Sequence, residues 1–247
     1  MLVLPRKDGK VYTHNGSIIK TSVTIDPTMS NNDWGIIMFA LKERVAPSSW
    51  LGQSKQIGSG SYAQYSLQLI DMASNRYEKV NGGYTNAVLQ FVTMPPAITW
   101  NNGANLPSNL AYSNNYIKTA VNSIKEGLPN HIAKNIARVD LPLAGECEVF
   151  LPCVYELIGS TSINNNLTVS SEESSSVFQY YANNFLNLYQ KTDQEYGYVR
   201  NQWTRTLASN DYPCIVDTGT SSTNTKKISA NSITKTTTNW YAPIFAI

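Results

Sequence analysis

Asp217 lies in Ile215-Val216-Asp217-Thr218-Gly219-Thr220-Ser221, a short apolar run that ends in a carboxylate and a glycine. A carboxylate at such a place can activate water for hydrolysis when a second one about 3 Å away shares its proton. The chain carries one Asp-Thr-Gly and no second copy to supply that partner. Glu172-Glu173 is the other adjacent pair of carboxylates to weigh, as an acid and a nucleophile for glycosidic bonds. It lies in a serine-rich stretch that offers no rigid frame to hold the two in register. A serine or cysteine nucleophile would need a histidine and an orienting carboxylate. His14 and His131 are the two histidines, and no Gly-x-Ser-x-Gly elbow accompanies them. His131 has no second histidine or carboxylate cluster at metal-ligand spacing. The expectation is no catalytic residue, no metal and no cofactor.

The elements that hold these residues explain them more simply. Residues 215–221 resemble, letter for letter, the active-site strand and loop of pepsin-like aspartic proteases. Without the second motif they read as a strand and a turn in which Asp217 and Gly219 satisfy the bend. Tyr212-Pro213-Cys214-Ile215-Val216 is a short buried strand by its β-branched and aromatic content. Trp203 and Arg205 open the strand before it, with a polar loop at 208–211 between the two. The chain stays apolar through Trp240-Tyr241-Ala242-Pro243-Ile244-Phe245-Ala246-Ile247, which predicts a tail tied into the core beside the Trp203 strand.

Residues 1–28 read as an extended arm, with Val11-Tyr12 and Ile18-Ile19 as strands around the Asn15-Gly16 turn. The arm either docks on a neighbouring subunit or packs on its own domain. Residues 29–247 form the domain itself. Asn31, Asn32 and Asp33 are placed to cap a helix with Trp34, Ile37, Met38, Leu41 and Val45 on one apolar face, ended by Pro47. Trp50 is an anchored loop tryptophan, and Gly58 and Gly60 make a turn. Alternation over 61–72 and 86–94 around Asn81-Gly82-Gly83 predicts a hairpin. A second amphipathic helix carries Ile117, Ala120, Val121, Ile124 and Leu128. A third, opened by Pro129, carries Ile132, Ile136 and Val139. Residues 147–158 read as a buried strand leading into a helical turn, 159–176 as an exposed Ser/Asn/Thr loop, and 178–190 as a helix.

The composition narrows the partners. Charged residues make up 15% of the chain and hydrophobic ones 42%, so the polar surface is built from Asn, Ser, Thr and Tyr. A net charge of +2 with lysines dispersed along the chain gives no basic stripe for nucleic acid. No run is long and apolar enough to insert in a membrane. The N-terminus has no signal-peptide pattern, so the chain is expected to fold in a cytosol. Cys147, Cys153 and Cys214, odd in number and without Cys-x-x-Cys spacing, read as buried thiols. A surface of neutral hydrogen-bonding groups and aromatics suits carbohydrate or protein. Without an export signal it reaches the outside as part of a particle such as a phage virion.

Seven stretches occur in an order known from one family. They are residues 34–46, Ser49-Trp50-Leu51-Gly52, residues 116–139, residues 149–156 with Glu156 followed by Gly159, Tyr180-Tyr181, Trp203-Thr204-Arg205, and residues 240–245. This series resembles an uncharacterised domain family of tail-fibre and surface proteins of phages and prophages of Gram-positive gut bacteria, whose ending is similar to C-type-lectin-like domains. The likeness covers residues 30–247. Two departures stand out: Gly52 is followed by Gln53 in place of an aspartate, and Tyr241 and Ala242 occupy the neighbourhood of the family's terminal arginine.

The resemblance implies an α+β, C-type-lectin-like single domain, with a mixed, mostly antiparallel sheet and two or three packed helices behind an N-terminal arm. It implies a virion structural protein of tail, baseplate or capsid appendage, assembled in the host cytoplasm as a homo-oligomer with other virion proteins, and binding a host surface glycan or protein. A purely architectural component is the alternative. Trp203 and Arg205 are expected in the core. Asn210, Asp211 and Tyr212 are the expected ligand contacts, with Trp240 serving contact or core. The calcium-ligating motifs of true C-type lectins are missing, so no calcium is expected.

Overall fold

The structure is a computed structural model that describes residues 11–12, 18–19, 24–101, 110–141, 144–160, 176–184, 191–208, 212–216, 228–230 and 237–247. Strands β1 (Val11–Tyr12) and β2 (Ile18–Ile19) pair antiparallel, Val11 opposite Ile19 and Tyr12 opposite Ile18; the Asn15-Gly16 stretch read as their turn lies outside the described residues. The body begins before residue 29. Trp50 Nε1 donates to Asp26 O at 3.0 Å, Ser49 Oγ to Pro27 O at 2.9 Å, and Ile25 packs on the core.

Helix α1 (Trp34–Lys42) buries Trp34, Ile37, Met38 and Leu41, as the spacing predicts. Asp33 is its N-cap without a side-chain cap bond, and Asn32 instead ties the preceding loop, accepting from Asp26 N at 2.9 Å and donating to Thr28 O at 2.9 Å. The helix stops well before Pro47. Arg44 turns left-handed at φ 59°, and the N–H groups of Val45 and Ala46 return to Ala40 O. Val45 therefore leaves the apolar face and is exposed. Trp50 is fully buried.

Next come β3 (Ser54–Gln56), β4 (Ser66–Asp71), β5 (Val88–Phe91) and β6 (Ile98–Thr99). The β4–β5 pair is the predicted hairpin, with its first strand beginning at Ser66 rather than 61. The expected second helix is split at Ser123 into α2 (Tyr116–Asn122) and α3 (Ile124–Gly127). The Ser123 hydroxyl donates back to Ala120 O at 2.8 Å, a local bond that competes with the helical ladder. The third helix is one turn, α4 (Asn130–Ala133), and Val139 starts a strand instead of extending that helix. Strands β7 (Val139–Leu141) and β8 (Gly145–Cys147) pair with each other, and the buried run to Cys153 leads into α5 (Val154–Ile158). Helix α6 (Gln179–Asn184) follows. The α-helices among the described residues are thus six and short, with three single turns of 3-10 helix besides, where two or three packed helices were expected.

The last strands are β9 (Gln202–Leu207), β10 (Pro213–Val216), β11 (Ile228–Ala230), β12 (Thr238–Tyr241) and β13 (Ile244–Ala246). One sheet runs β11-β10-β9-β12-β6 and another β13-β5-β4-β3, so the architecture is α+β with mostly antiparallel sheets. The tail links the two. Strand β12 pairs parallel with β9, Tyr241 opposite Trp203, and β13 pairs antiparallel with β5, Phe245 opposite Leu89. Pro243, without an N–H, sits at the crossing. Cys147, Cys153 and Cys214 are buried, as expected.

Strand β9 is buried almost throughout despite its polar letters. Thr204 Oγ1 donates to Cys214 O at 2.9 Å, and Thr206 Oγ1 accepts from Val154 N at 3.0 Å. Arg205 grips Glu156 with two nitrogens, at 2.8 and 3.0 Å, and donates to Leu151 O at 2.6 Å. Tyr77 Oη and Cys153 N donate to the same carboxylate. Burial pushes the Glu156 carboxyl up, but the Arg205 charge and these bonds outweigh it and hold it below its usual range. Trp203 is equally enclosed, edge-on to Trp100 at 5.1 Å with Nε1 donating to Ile98 O.

Candidate ligand-binding site beside Trp240

The site is built by a strap, residues 191–200, laid along β5's exit and the start of β9. Lys191 roots it: the buried Nζ donates to Phe91 O at 3.0 Å. Met94 N donates to Thr192 O at 2.9 Å and Gln194 N to Met94 O at 3.2 Å, so this end of the strap is held by backbone bonds. The strap then reverses. Asp193 N donates to Tyr198 O, Gly197 N to Asp193 O, and Gly197 takes φ 69°, a conformation glycine adopts without strain. The Asp193 carboxylate, fully buried, accepts from Tyr196 N at 2.5 Å and from Arg200 Nε at 2.9 Å. Burial raises the Asp193 pKa, and the Tyr196 N–H and the Arg200 guanidinium overcome that and hold it low.

This turn sets four flat side chains in a row. Tyr196 and Tyr198 stack with centroids 6.2 Å apart and planes 17° apart. Arg200 lies over Tyr198 at 5.1 Å and over Trp240 at 5.6 Å. Tyr196 and Tyr198 are 59% and 61% exposed, far more than any core ring. The Glu195 carboxylate, hydrogen-bonded to Tyr196, raises that phenol above its ordinary pKa.

Beside the row is a cavity of about 370 Å³. Tyr65, Met94, Pro96 and Trp240 give it apolar walls; Gln64, Gln194 and Glu195 give it polar edges. Its size is that of a small-ligand site. Apolar and aromatic walls with amides and one carboxylate at the edge can hold a polyhydroxylated ring, its face on the aromatic surface and its hydroxyls on the edge groups. Among the described lining residues Glu195 is the sole carboxylate, and no histidine, cysteine or serine is present. Among the described residues, no group of histidines, cysteines and carboxylates could hold a metal ion.

Of the expected contacts, Trp240 is half-buried and lines this cavity. Tyr212 is half-buried at the other end of β9, its carbonyl accepting from Ala208 N at 2.8 Å. Trp240 is paired with Gln202, whereas Pro213 is paired with Leu207. Five residues of strand, roughly 16 Å, separate those positions, so the structure does not bring Tyr212 and Trp240 together. Asn210, Asp211, Asp217 and Glu172-Glu173 lie outside the described residues.

The sequence reading missed Gln64, Gln194, Glu195, Tyr196, Tyr198 and Arg200. A signal was present in Tyr196-Gly197-Tyr198-Val199-Arg200, where ring, ring and guanidinium recur at every second residue around a glycine. No helix among the described residues is long and apolar enough to cross a membrane. Comparisons of this chain with protein-family models, with curated proteins and with solved structures found no match.

Proposed function

We propose that this chain is a non-catalytic component of a phage virion that binds a host surface glycan through a C-type-lectin-like domain, with the Trp240 cavity as its contact site. One observation carries the binding reading: the Tyr196–Tyr198–Arg200–Trp240 row beside a cavity edged by Gln64, Gln194 and Glu195. Exposed rings of this kind are costly for solubility and earn their place by covering an apolar partner face. The virion context and the lectin-like assignment rest on the sequence resemblance. The α+β architecture and the burial of Trp203, Arg205 and Glu156, all three in the resembling stretches, are compatible with that assignment. In a homo-oligomer several such sites act together, so weak single-site affinity suffices.

The test is retention of the full chain on immobilised host cell-wall polysaccharide. Wild type is expected to be retained, and Trp240→Ala and Tyr198→Ala to be released while keeping their far-UV spectrum. Loss on Tyr212→Ala with Trp240→Ala unaffected moves the site to the other end of β9. No retention of wild type on any host-surface glycan defeats the binding reading in favour of an architectural one.

A further inference from the structure

The lysines that look dispersed along the sequence do not stay dispersed in the fold. Lys42 at the end of α1, Lys79 before the Gly82-Gly83 turn, Lys125 in α3, Lys134 after α4 and Arg138 before β7 all line one hollow of about 400 Å³. It shares no residue with the Trp240 cavity. Glu148 is the one carboxylate side chain on its walls, and Lys125 takes it at 2.5 Å. Arg138 pairs with the exposed Glu146. Among the described residues, no ion pair engages Lys42, Lys79 or Lys134. The main-chain oxygen of Ile247, also on the wall, accepts from Asn86 N.

The walls are fixed. Val80 N donates to Arg138 O at 3.0 Å, and Lys79 forms a bridge with Val139, which sets Lys79 and Arg138 on adjoining backbone. Arg44 is held nearby, its Nε donating to Asn86 Oδ1 at 2.8 Å. Burial, then the charges of Lys42 and Arg44, lower the Lys79 pKa, so the like charges are close enough to feel one another. Three lysines without an ion pair among the described residues are thus gathered at one concave place, beside the paired Lys125 and Arg138.

We propose that this hollow binds a small ligand bearing two or more phosphate groups. Convergent ammonium groups are point-charge donors suited to phosphate oxygens from several directions. A single monoanion would leave most of the cations uncompensated. The walls curve inward and form no stripe, which suits a compact ligand and not a duplex. Asn81 and Asn135 add amide groups for the ester or hydroxyl portion.

The experiment is titration calorimetry of the full chain at low salt with inorganic tripolyphosphate, and with citrate and sulfate as competing oxyanions. A saturable one-to-one heat that weakens steeply with salt is expected. Lys79→Gln and Lys134→Gln should each weaken it by at least about tenfold, while Lys55→Gln, outside the hollow, should not. Lys134 is exposed, so its replacement tests the site without a folding risk. Binding should raise the Lys79 pKa and take up protons at alkaline pH, read from the dependence of the heat on buffer. Absence of saturable binding, equal weakening by Lys55→Gln, or citrate binding as tightly as tripolyphosphate overturns the proposal. Glycan retention through Trp240 is read separately, so either site can fail alone.

Discussion

Arg205 and Arg200 stand five residues apart in the chain, each holding one carboxylate and lying over aromatic rings. Arg205 is sealed: its side chain is 1% exposed, its partner Glu156 not at all, and Phe150 closes one side. Arg200 is open: its side chain is 37% exposed although its partner Asp193 is fully buried, and its rings are Tyr198 and Trp240 at the surface. The same three ingredients therefore give a core clamp in one place and a presenting surface in the other. What differs is the cover. Residues 149–158 close over Arg205, whereas Arg200 has the buried carboxylate of the strap's turn on one side and the rings of Tyr198 and Trp240 on the other.

The largest effect is expected at the sealed pair. Arg205→Met leaves Glu156 buried without its cation and should cost about 3–5 kcal/mol in unfolding free energy by urea titration. Adding Glu156→Leu should recover part of that loss, since two apolar groups leave no uncompensated charge. A single variant as stable as wild type would show that Tyr77 and the Cys153 N–H satisfy Glu156 alone.

Lys191, at the root of the strap, divides the two regions and responds to pH. Burial lowers its pKa from 10.5 to about 7. Between those values the unfolded chain keeps a proton that the folded chain has released, so stability should rise from pH 7 to pH 10, by at most about 1.4 kcal/mol per pH unit. Below pH 7 both states hold the proton and this contribution is flat at its least favourable. Above pH 10 the raised phenols of Tyr77, Tyr181 and Tyr241 reverse the trend, because the unfolded chain ionises first. Lys191→Met should flatten the limb between pH 7 and 10 in urea unfolding.

Much of the sealed region was legible in the letters and little of the open one. Apolar runs at 213–216 and 240–247 reveal burial, and the tail does lie beside Trp203. Periodicity reports which face is inward, not which partner it meets. The choice of Glu156 for Arg205 is a contact across 49 residues, and the division of the tail between two sheets turns on Pro243. The helix break falls at Ser123, whose hydroxyl bonds back to Ala120 O, a local polar bond that an apolar pattern cannot register. The strap escapes a reading by periodicity, because its rings come together only once Asp193 closes the turn. The lysine hollow was invisible for a related reason: its cations come from separate elements, and composition averages them with the carboxylates elsewhere.

At the open site, Trp240→Ala should weaken glycan retention by roughly tenfold or more, the equivalent of about 1.4 kcal/mol. The fold should persist, because Trp240 is held in β12 by its backbone, its N donating to Asn201 O at 3.2 Å. Unfolding of this variant would instead make Trp240 a core residue and merge the two regions.

The finest discrimination comes from one substitution made in both places. Lysine keeps the charge of arginine and loses the planar fork. At 205 the fork spans both oxygens of Glu156 and also reaches Leu151 O, and the pair is sealed from solvent, so Arg205→Lys should lower the unfolding midpoint clearly. At 200 one nitrogen meets Asp193, and water can replace what the ammonium misses. Arg200→Lys should leave the midpoint near wild type and weaken glycan retention only a few-fold, about 0.5–1 kcal/mol, the worth of an exposed cation over a ring. Equal destabilisation by the two would mean that the strap is as sealed as the core, and that the exposed rings are packing surface for another chain.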